Sequence, residues 1–184
     1  MINSFKEERV EILSEQEVGL TLKRLASQIL ENIAEPKGLL LLGIPTRGVH
    51  LSKVLAKELK HITGEKVDQG ILDPTFHRDD LVRVGTRIPQ STDIPSTVED
   101  REVLLVDDVI FTGRTIRASI EALQSWGRPK RVMLLTMVDR GHREVPIQPD
   151  FCGRKVPTSR SESIELRLKE VDGEEGVFLL KKFN

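Results

Sequence analysis

The 184-residue chain has a single cysteine, Cys152. It can form no internal disulfide, which excludes a disulfide-stapled secreted scaffold. No apolar run approaches the roughly 20 residues of a transmembrane helix. The opening stretch, MINSFKEERVEIL, lacks the basic start and long apolar centre of a signal peptide. The expectation is a cytoplasmic protein that does not touch a membrane. Internal repeats and low-complexity tracts are also missing. Net charge is nearly absent at −1, but it is unevenly spread: residues 128 to 160 hold eight Lys/Arg against three Asp/Glu, a local balance of +5. Such a stretch suits an anionic partner. What is present is ordinary for a globular protein, 38% hydrophobic and 31% charged residues. The length suits one core, so residues 1–184 are read as a single domain.

Along the chain, Ser14-Glu15-Gln16-Glu17 forms a capping box that predicts a helix start. Val18, Leu22, Leu25, Ile29 and Ile33 then recur on one face until Pro36. GLLLLG (38–43) is too short for a helix and apolar throughout, as expected of a buried parallel strand. A helix over 49–62 stops near Gly64, and a strand follows near 66–72. Residues 73–100, with Pro74, Pro89 and Pro95, form a long excursion expected to be flexible. Strand 102–107, a helix over 114–126 closed by Gly127, and strand 131–138 complete the alternation. That alternation implies an α/β fold, an open, mostly parallel, twisted sheet flanked by helices. Ile164, Leu166 and Leu168 then alternate with charged residues, and an acidic turn (Asp172 to Gly176) leads into VFLLKKF. This predicts a C-terminal β-hairpin at a sheet edge.

Ligands of such sheets sit beyond the carboxyl ends of the strands. Three loops qualify: IPTRG after the first strand, DDVIFTGRT after the strand at 102–107, and DRGHR after the strand at 131–138. In the second, the amides of Thr112, Gly113, Arg114 and Thr115 lie where a helix begins and can converge on an anion, aided by the positive helix end. A monophosphate suits this nest. Asp107 and Asp108 are ionised acceptors that would repel it, so they must hold something else. Vicinal ribose hydroxyls, or a magnesium ion shared with phosphate oxygens, meet that need. The plain alternative is a structural helix N-terminus with solvated acids; the Thr-Gly-Arg-Thr turn weighs against it.

VLLVDDVIFTGRT (103–115) resembles the thirteen-residue signature of type I phosphoribosyltransferases, which bind 5-phosphoribosyl pyrophosphate (PRPP). GIPTRG (43–48), HRDDL (77–81), VDRGHREVPI (138–147) and VPTSRSE (156–162) resemble the PyrR family of pyrimidine operon regulators and uracil phosphoribosyltransferases. The resemblance spans essentially the whole chain. It implies the type I phosphoribosyltransferase fold, with a flexible loop and a hood. It also implies reaction of uracil with magnesium-PRPP to give UMP and pyrophosphate, and UMP-dependent binding to a leader-mRNA hairpin by a homodimer or higher homo-oligomer.

Residue by residue, the resemblance implies that Val109, Thr112, Gly113, Arg114 and Thr115 bind PRPP at its 5′-phosphate end. Asp107 and Asp108 would hold the ribose hydroxyls, the developing positive charge and magnesium. Thr46, Arg47 and Gly48 would hold pyrophosphate, with Asp107, Asp108 and Arg47 catalytic, and Arg78 would close over the pyrophosphate. Val138, Asp139 and Arg140 would read uracil, with Ile164 lining the pocket, although Ile164 reads better as core and Arg78 equally well as plain surface. Arg24, His142, Arg143, Arg154 and Thr158 would contact RNA; the bland alternative for this basic stretch is a rim that steers anionic PRPP.

Purine enzymes of this superfamily commonly carry an acid four residues after the first member of the acidic pair. Here that place is Phe111, which favours a pyrimidine. Two departures stand out: Pro45 replaces the usual lysine and removes an amide donor, and Pro74-Thr75-Phe76-His77 replaces an Ile-Thr-Leu-Tyr run. Three classes of function stay open: an active uracil phosphoribosyltransferase, an RNA-binding nucleotide sensor with weak or no turnover, and a phosphoribosyltransferase for another base.

Overall fold

The computed structural model describes residues 7–80 and 89–182. Its centre is a five-stranded parallel sheet in the order β3-β2-β4-β5-β6. The strands are β2 (Leu39–Gly43), β3 (Asp68–Ile71), β4 (Glu102–Ile110), β5 (Arg131–Asp139) and β6 (Phe151–Lys155). Every residue of β2 is buried, which explains why its sequence shows no polar alternation. Leu40 and Leu42 face one apolar cluster, with Leu105, Ile116 and Leu134. Leu39 and Leu41 face the other, with Leu25, Leu55 and Leu135. This two-sided burial fixes the sheet as the middle layer.

Helix α1 (Glu15–Asn32) starts at the expected capping box: the Ser14 hydroxyl accepts from the Glu17 amide, and the Glu17 carboxylate accepts from the Ser14 amide at 2.8 Å. Its buried face holds Val18, Leu22, Leu25 and Ile29. Helix α2 (Arg47–Thr63) begins two residues before the expected start and ends at Gly64, whose φ of 75° provides the left-handed cap. Helix α3 (Arg114–Gln124) follows β4.

Two readings need correction, the end of β4 and the missed β6, while the expected C-terminal hairpin is present. β4 runs on to Ile110, because Val109 and Ile110 still pair with Val138 and Asp139 of β5; the two acids therefore sit within a strand and not in the loop after it. β6 is a strand the sequence did not suggest. The C-terminal hairpin, β7 (Ser163–Arg167) and β8 (Gly176–Lys182), does not extend the parallel sheet. It joins the N-terminal strand β1 (Glu7–Ser14) in a separate antiparallel sheet, order β1-β8-β7. Leu13, Leu166, Leu168 and Val177 bury their side chains in the same cluster as α1 and α2, so this second sheet shares the main core. A one-turn helix, α4 (Lys169–Asp172), closes the hairpin. Of the long excursion, residues 81–88 lie outside the described residues. Thr75–His77 is a short 3₁₀ turn, and Asp93 bridges back to Ile71.

Candidate active site

The carboxyl ends of β2, β4 and β5 bring the three suspected loops to one end of the sheet. The first is drawn tight against the strands. A Cβ on Gly48 would collide with the Val106 carbonyl oxygen, and one on Gly43 would lie 2.5 Å from Val49 Cα. Both glycines therefore let α2 approach the sheet. Ile44 donates to the Val106 carbonyl at 2.9 Å, and the Pro45–Thr46 peptide is cis. Arg47, at the start of α2, is side-on to Asp172: Nε and Nη2 reach the carboxylate at 3.4 and 2.9 Å. Asp172 also accepts from the Leu168 amide at 2.9 Å. Burial raises the Asp172 pKa, but the Leu168 amide and the Arg47 cation outweigh it, and the carboxyl is held below its ordinary value. The α4 turn of the C-terminal hairpin is thereby tied to the loop expected to bind pyrophosphate. The acidic turn was visible in the sequence, but nothing in it named Arg47 as its partner.

The second loop is the best-built part. Gly113 caps α3 with φ of 85°, a conformation costly for other residues. A Cβ there would stand 2.7 Å from Val145 Cγ2. Thr112 anchors the turn: its hydroxyl accepts from the Arg114 amide at 3.3 Å, and its carbonyl accepts from the Glu144 amide at 2.9 Å. Arg114 reaches away to Asp79 and Glu144, each at 2.8 Å. It holds neighbouring loops together. A cleft of about 290 Å³ opens over this turn, lined by Asp107, Val109, Phe111, Thr112, Gly113, Thr115, Arg78 and Asp80. Asp107 is only 7% exposed, and one oxygen accepts from the Asp108 amide at 3.0 Å. Asp108 is less buried and accepts from the Val109 amide at 2.9 Å. Because strand neighbours point to opposite faces, the two acids present themselves differently.

Arg78 stands in this same cleft, its guanidinium donating to the Thr115 hydroxyl at 2.7 Å and clasping Asp80 through two bonds of 2.8 Å. The Arg78 side chain is almost fully buried. Its bonds lower the Asp80 pKa, against the raising effect of burial. The structure thus sets Arg78 beside the suspected 5′-phosphate nest. Asp80 escaped sequence reasoning; only its place two residues after Arg78 hinted at it.

The third loop follows β5. Val138 is fully buried, and Asp139 accepts from the Gly141 amide at 2.9 Å and pairs with Arg143 at 2.8 Å. Arg143 also donates to the Phe111 and Ile147 carbonyls, each at 2.9 Å. It staples the third loop to the second. Arg140 is buried, and burial lowers its pKa, with Glu162 opposing. Its guanidinium lies 4.0 Å from the Phe111 ring centroid and donates to Thr158 Oγ1 and to the carbonyls of Ser159 and Glu162. His142 has φ of 64°, places its ring edge-on to Phe111 and donates from Nε2 to the Thr158 carbonyl at 2.6 Å. A shallow hollow of about 220 Å³ is lined by Asp139, Arg140, Gly141, Lys155, Val156 and Pro157. Ile164 packs half-buried against the main core.

Of the residues assigned to RNA, Arg24 and Arg154 are exposed and close together across α1 and β6: Arg24 donates to the Gly153 carbonyl at 2.6 Å, and Arg154 to that of Ile12 at 3.0 Å. His142 and Thr158 form a second, bonded pair, while Arg143 is turned into the loop junction. Among the described residues, no three His, Cys, Asp or Glu side chains form a metal cage. Two carboxylates beside an anion nest still fit magnesium, which keeps several waters and shares phosphate oxygens. Among the described residues no helix is long and apolar enough to cross a membrane.

A glycine turn opening a helix directly after an acidic strand end, over a cleft on a parallel sheet, fits a phosphoribosyltransferase. The family model of the phosphoribosyl transferase domain matches residues 9–167, and the chain belongs to that family. Within it the chain belongs to the PyrR family. It is 48% identical over 172 residues to the bifunctional protein PyrR of Microcystis aeruginosa, covering 94% of this chain and 97% of the relative. It is 49% identical over 175 residues to that of Thermosynechococcus vestitus, covering 95% and 96%. The hypoxanthine phosphoribosyltransferase of Trypanosoma cruzi superposes with a TM-score of 0.72 at 16% identity, covering 93% of this chain and 94% of that one. One from Staphylococcus aureus gives 0.69 at 19%, covering 95% and 92%. These two show the type I fold alone.

Proposed function

We propose that this protein transfers the phosphoribosyl group of PRPP to uracil, releasing pyrophosphate and forming UMP, and that with UMP it binds a leader-mRNA hairpin of pyrimidine genes. The observation that carries the reading is the cleft in which the Gly113 turn, Thr115 and Arg78 face Asp107, with Phe111 where a purine enzyme would have an acid. The amides and hydroxyls of the turn at 112–115 hold the 5′-phosphate, and Arg78, ion-paired with Asp80, orients the Thr115 hydroxyl. Asp107 and Asp108 accept from the ribose hydroxyls. Loss of pyrophosphate leaves a cationic, oxocarbenium-like sugar, and fixed carboxylates stabilise it without reorganising. Arg47 binds the leaving pyrophosphate. The backbone of Val138, Asp139 and Arg140 reads uracil, which needs both donors and acceptors at its edge. Asp107 and Asp108 would hold magnesium carried with PRPP, which would offset the charge of the pyrophosphate. Most of the catalytic effect is holding and charge balance.

The relatives are bifunctional PyrR proteins, and Arg154 and Arg160 of the basic stretch at 128–160 stay exposed for RNA. Arg24, Arg154, His142 and Thr158 supply RNA contacts, while Arg143 shapes the loop that carries His142. The protein acts in the cytoplasm as a homodimer or higher homo-oligomer. A second reading, a nucleotide sensor with weak turnover, is favoured by Pro45, which lacks an amide donor beside pyrophosphate, and by the engagement of Arg47 with Asp172. Steady-state assay of uracil, hypoxanthine and orotate with magnesium-PRPP decides the chemistry: uracil alone should be turned over, and turnover of hypoxanthine instead would overturn the base assignment. Titration of the leader hairpin with and without UMP decides the regulator. Its affinity should fall with salt by a slope of about −0.7 per phosphate contact.

A further inference from the structure

The regulator reading leaves open how a nucleotide in the cleft is felt at the RNA face. We propose that the Phe111–Arg140 contact is the link, with Arg140 a positioning residue that ties the nucleotide cleft to residues 158–162. The proposal rests on the regulator reading and deepens it.

Phe111 lies between the acid pair and the phosphate turn, and it lines the cleft. Any ligand that seats against Thr112 and Gly113 meets the segment carrying this ring. Arg140 packs its guanidinium on the face of that ring at 4.0 Å, and His142 packs against it edge-on at 5.6 Å. Beyond the ring, both side chains grip one short segment. Arg140 donates to Thr158 Oγ1 at 3.1 Å and to the Ser159 and Glu162 carbonyls at 3.0 and 2.6 Å; His142 donates to the Thr158 carbonyl at 2.6 Å. The Thr158 hydroxyl donates back to the Arg140 carbonyl at 3.3 Å. Arg140 is buried, and its partners here are a hydroxyl, two carbonyls and a ring.

That chemistry makes the link stiff. A buried guanidinium cannot leave its acceptors without stranding a charge away from water, so residues 158–162 must follow Arg140. Arg140 must in turn follow Phe111, because its amide also donates to the Ile110 carbonyl at 3.2 Å. His142 holds a left-handed backbone that a histidine seldom adopts, and its contacts are with these same two partners. Ser159, Arg160 and Ser161 at the far end of the link are exposed. Thr158 and His142 are also among the residues assigned to RNA. A shift of the Phe111 ring therefore reaches the RNA face through one side-chain contact.

The test is a linkage measurement on the whole protein. Dissociation constants are measured for UMP and for a pyrimidine-gene leader hairpin, each with and without the other. Reciprocity requires one factor for both, between about five and 150 in ordinary couplings. The parent should show such a factor. Phe111→Leu should bring the factor close to one, the four constants being compared within the variant so that any change in its basal affinities cancels. Hydrogen exchange on the parent gives a second readout that needs no variant: UMP should slow the amides of residues 158–162 as well as those of 107–116. Full coupling in Phe111→Leu, or protection confined to 107–116, overturns the link and spares the regulator reading. A parent whose RNA affinity ignores UMP overturns both.

Discussion

The glycine turn after β4 and the antiparallel sheet β1-β8-β7, which stands where the resemblance implies a hood, are built on opposite principles. The turn at 107–115 is one continuous stretch in which a strand, a glycine with positive φ and a helix start follow each other. The hood is assembled from the two ends of the chain: Leu13 of β1 pairs with Val177 of β8, and Ile164 of β7 with Leu179. A local device concentrates its function in a few atoms that cannot be exchanged. A device assembled at long range spreads its energy over many apolar contacts. Substitutions in the turn should therefore abolish ligand binding at little cost in folding, and substitutions in the hood should do the reverse.

Gly113→Val should have the largest effect. A β-branched residue resists φ of 85°, and its Cβ would press on Val145 Cγ2 at 2.7 Å. Calorimetry should show PRPP binding lost in a protein whose circular dichroism is that of the parent. Retained affinity would move the phosphate site elsewhere. Next come Asp107→Asn and Asp108→Asn. Each should lower uracil-dependent pyrophosphate release by about 10²-fold or more, the scale of removing one fixed transition-state contact. The melting temperature should move by only about 4 °C, because adjacent like charges stabilise a strand end poorly. Parental turnover in both variants would remove the ribose assignment.

The same contrast explains what could be read in advance. Ser14 and Glu17, Gly64 and Gly113 act within a few residues of themselves, and they lie where the sequence predicted. Leu39 to Leu42 needed only a count of apolar residues. β1 was missed because EERVEILS is half charged and becomes a strand only when β8, some 170 residues later, supplies its hydrogen bonds. β6 was missed because FCGRK is short and contains Gly153. The acidic pair and the glycine turn lie where the sequence put them, at the end of β4 and the start of α3. The partners of the arginines were not legible: Arg47 finds Asp172 across 125 residues, and Arg78 finds Thr115 across 37.

Leu166→Ala tests the hood side of the contrast. Leu166 is fully buried in the core cluster that the hood shares with α1 and α2. Its truncation should cost about 2–5 kcal/mol by urea unfolding. PRPP affinity measured on the remaining folded protein should stay near the parental value. A collapse of PRPP binding at unchanged stability would mean that the hood, too, concentrates its function.

Asp172→Asn probes the contact between the hood and Arg47 at the start of α2, and it should have the smallest effect. The Asp172 carboxylate holds Arg47 side-on and caps the Leu168 amide, and its pKa is lowered in the folded chain. A carboxyl with a lowered folded pKa contributes stability that is present above its unfolded pKa, about 3.9 for Asp, and lost as pH falls through the folded value. Urea midpoints should therefore be lower in Asp172→Asn than in the parent at pH 6, and the two proteins should converge as pH falls below about 4. The gap at pH 6 should be modest, about 1–3 kcal/mol for a charge-assisted bond at a partly exposed site. The same variant frees Arg47 from its side-on hold, so the KM for PRPP should change while the KM for uracil stays put. A difference in stability that persists unchanged at low pH would mean that Asp172 acts through the shape of its turn and not through its charge. An unchanged KM for PRPP would uncouple Arg47, and with it the hood, from the pyrophosphate.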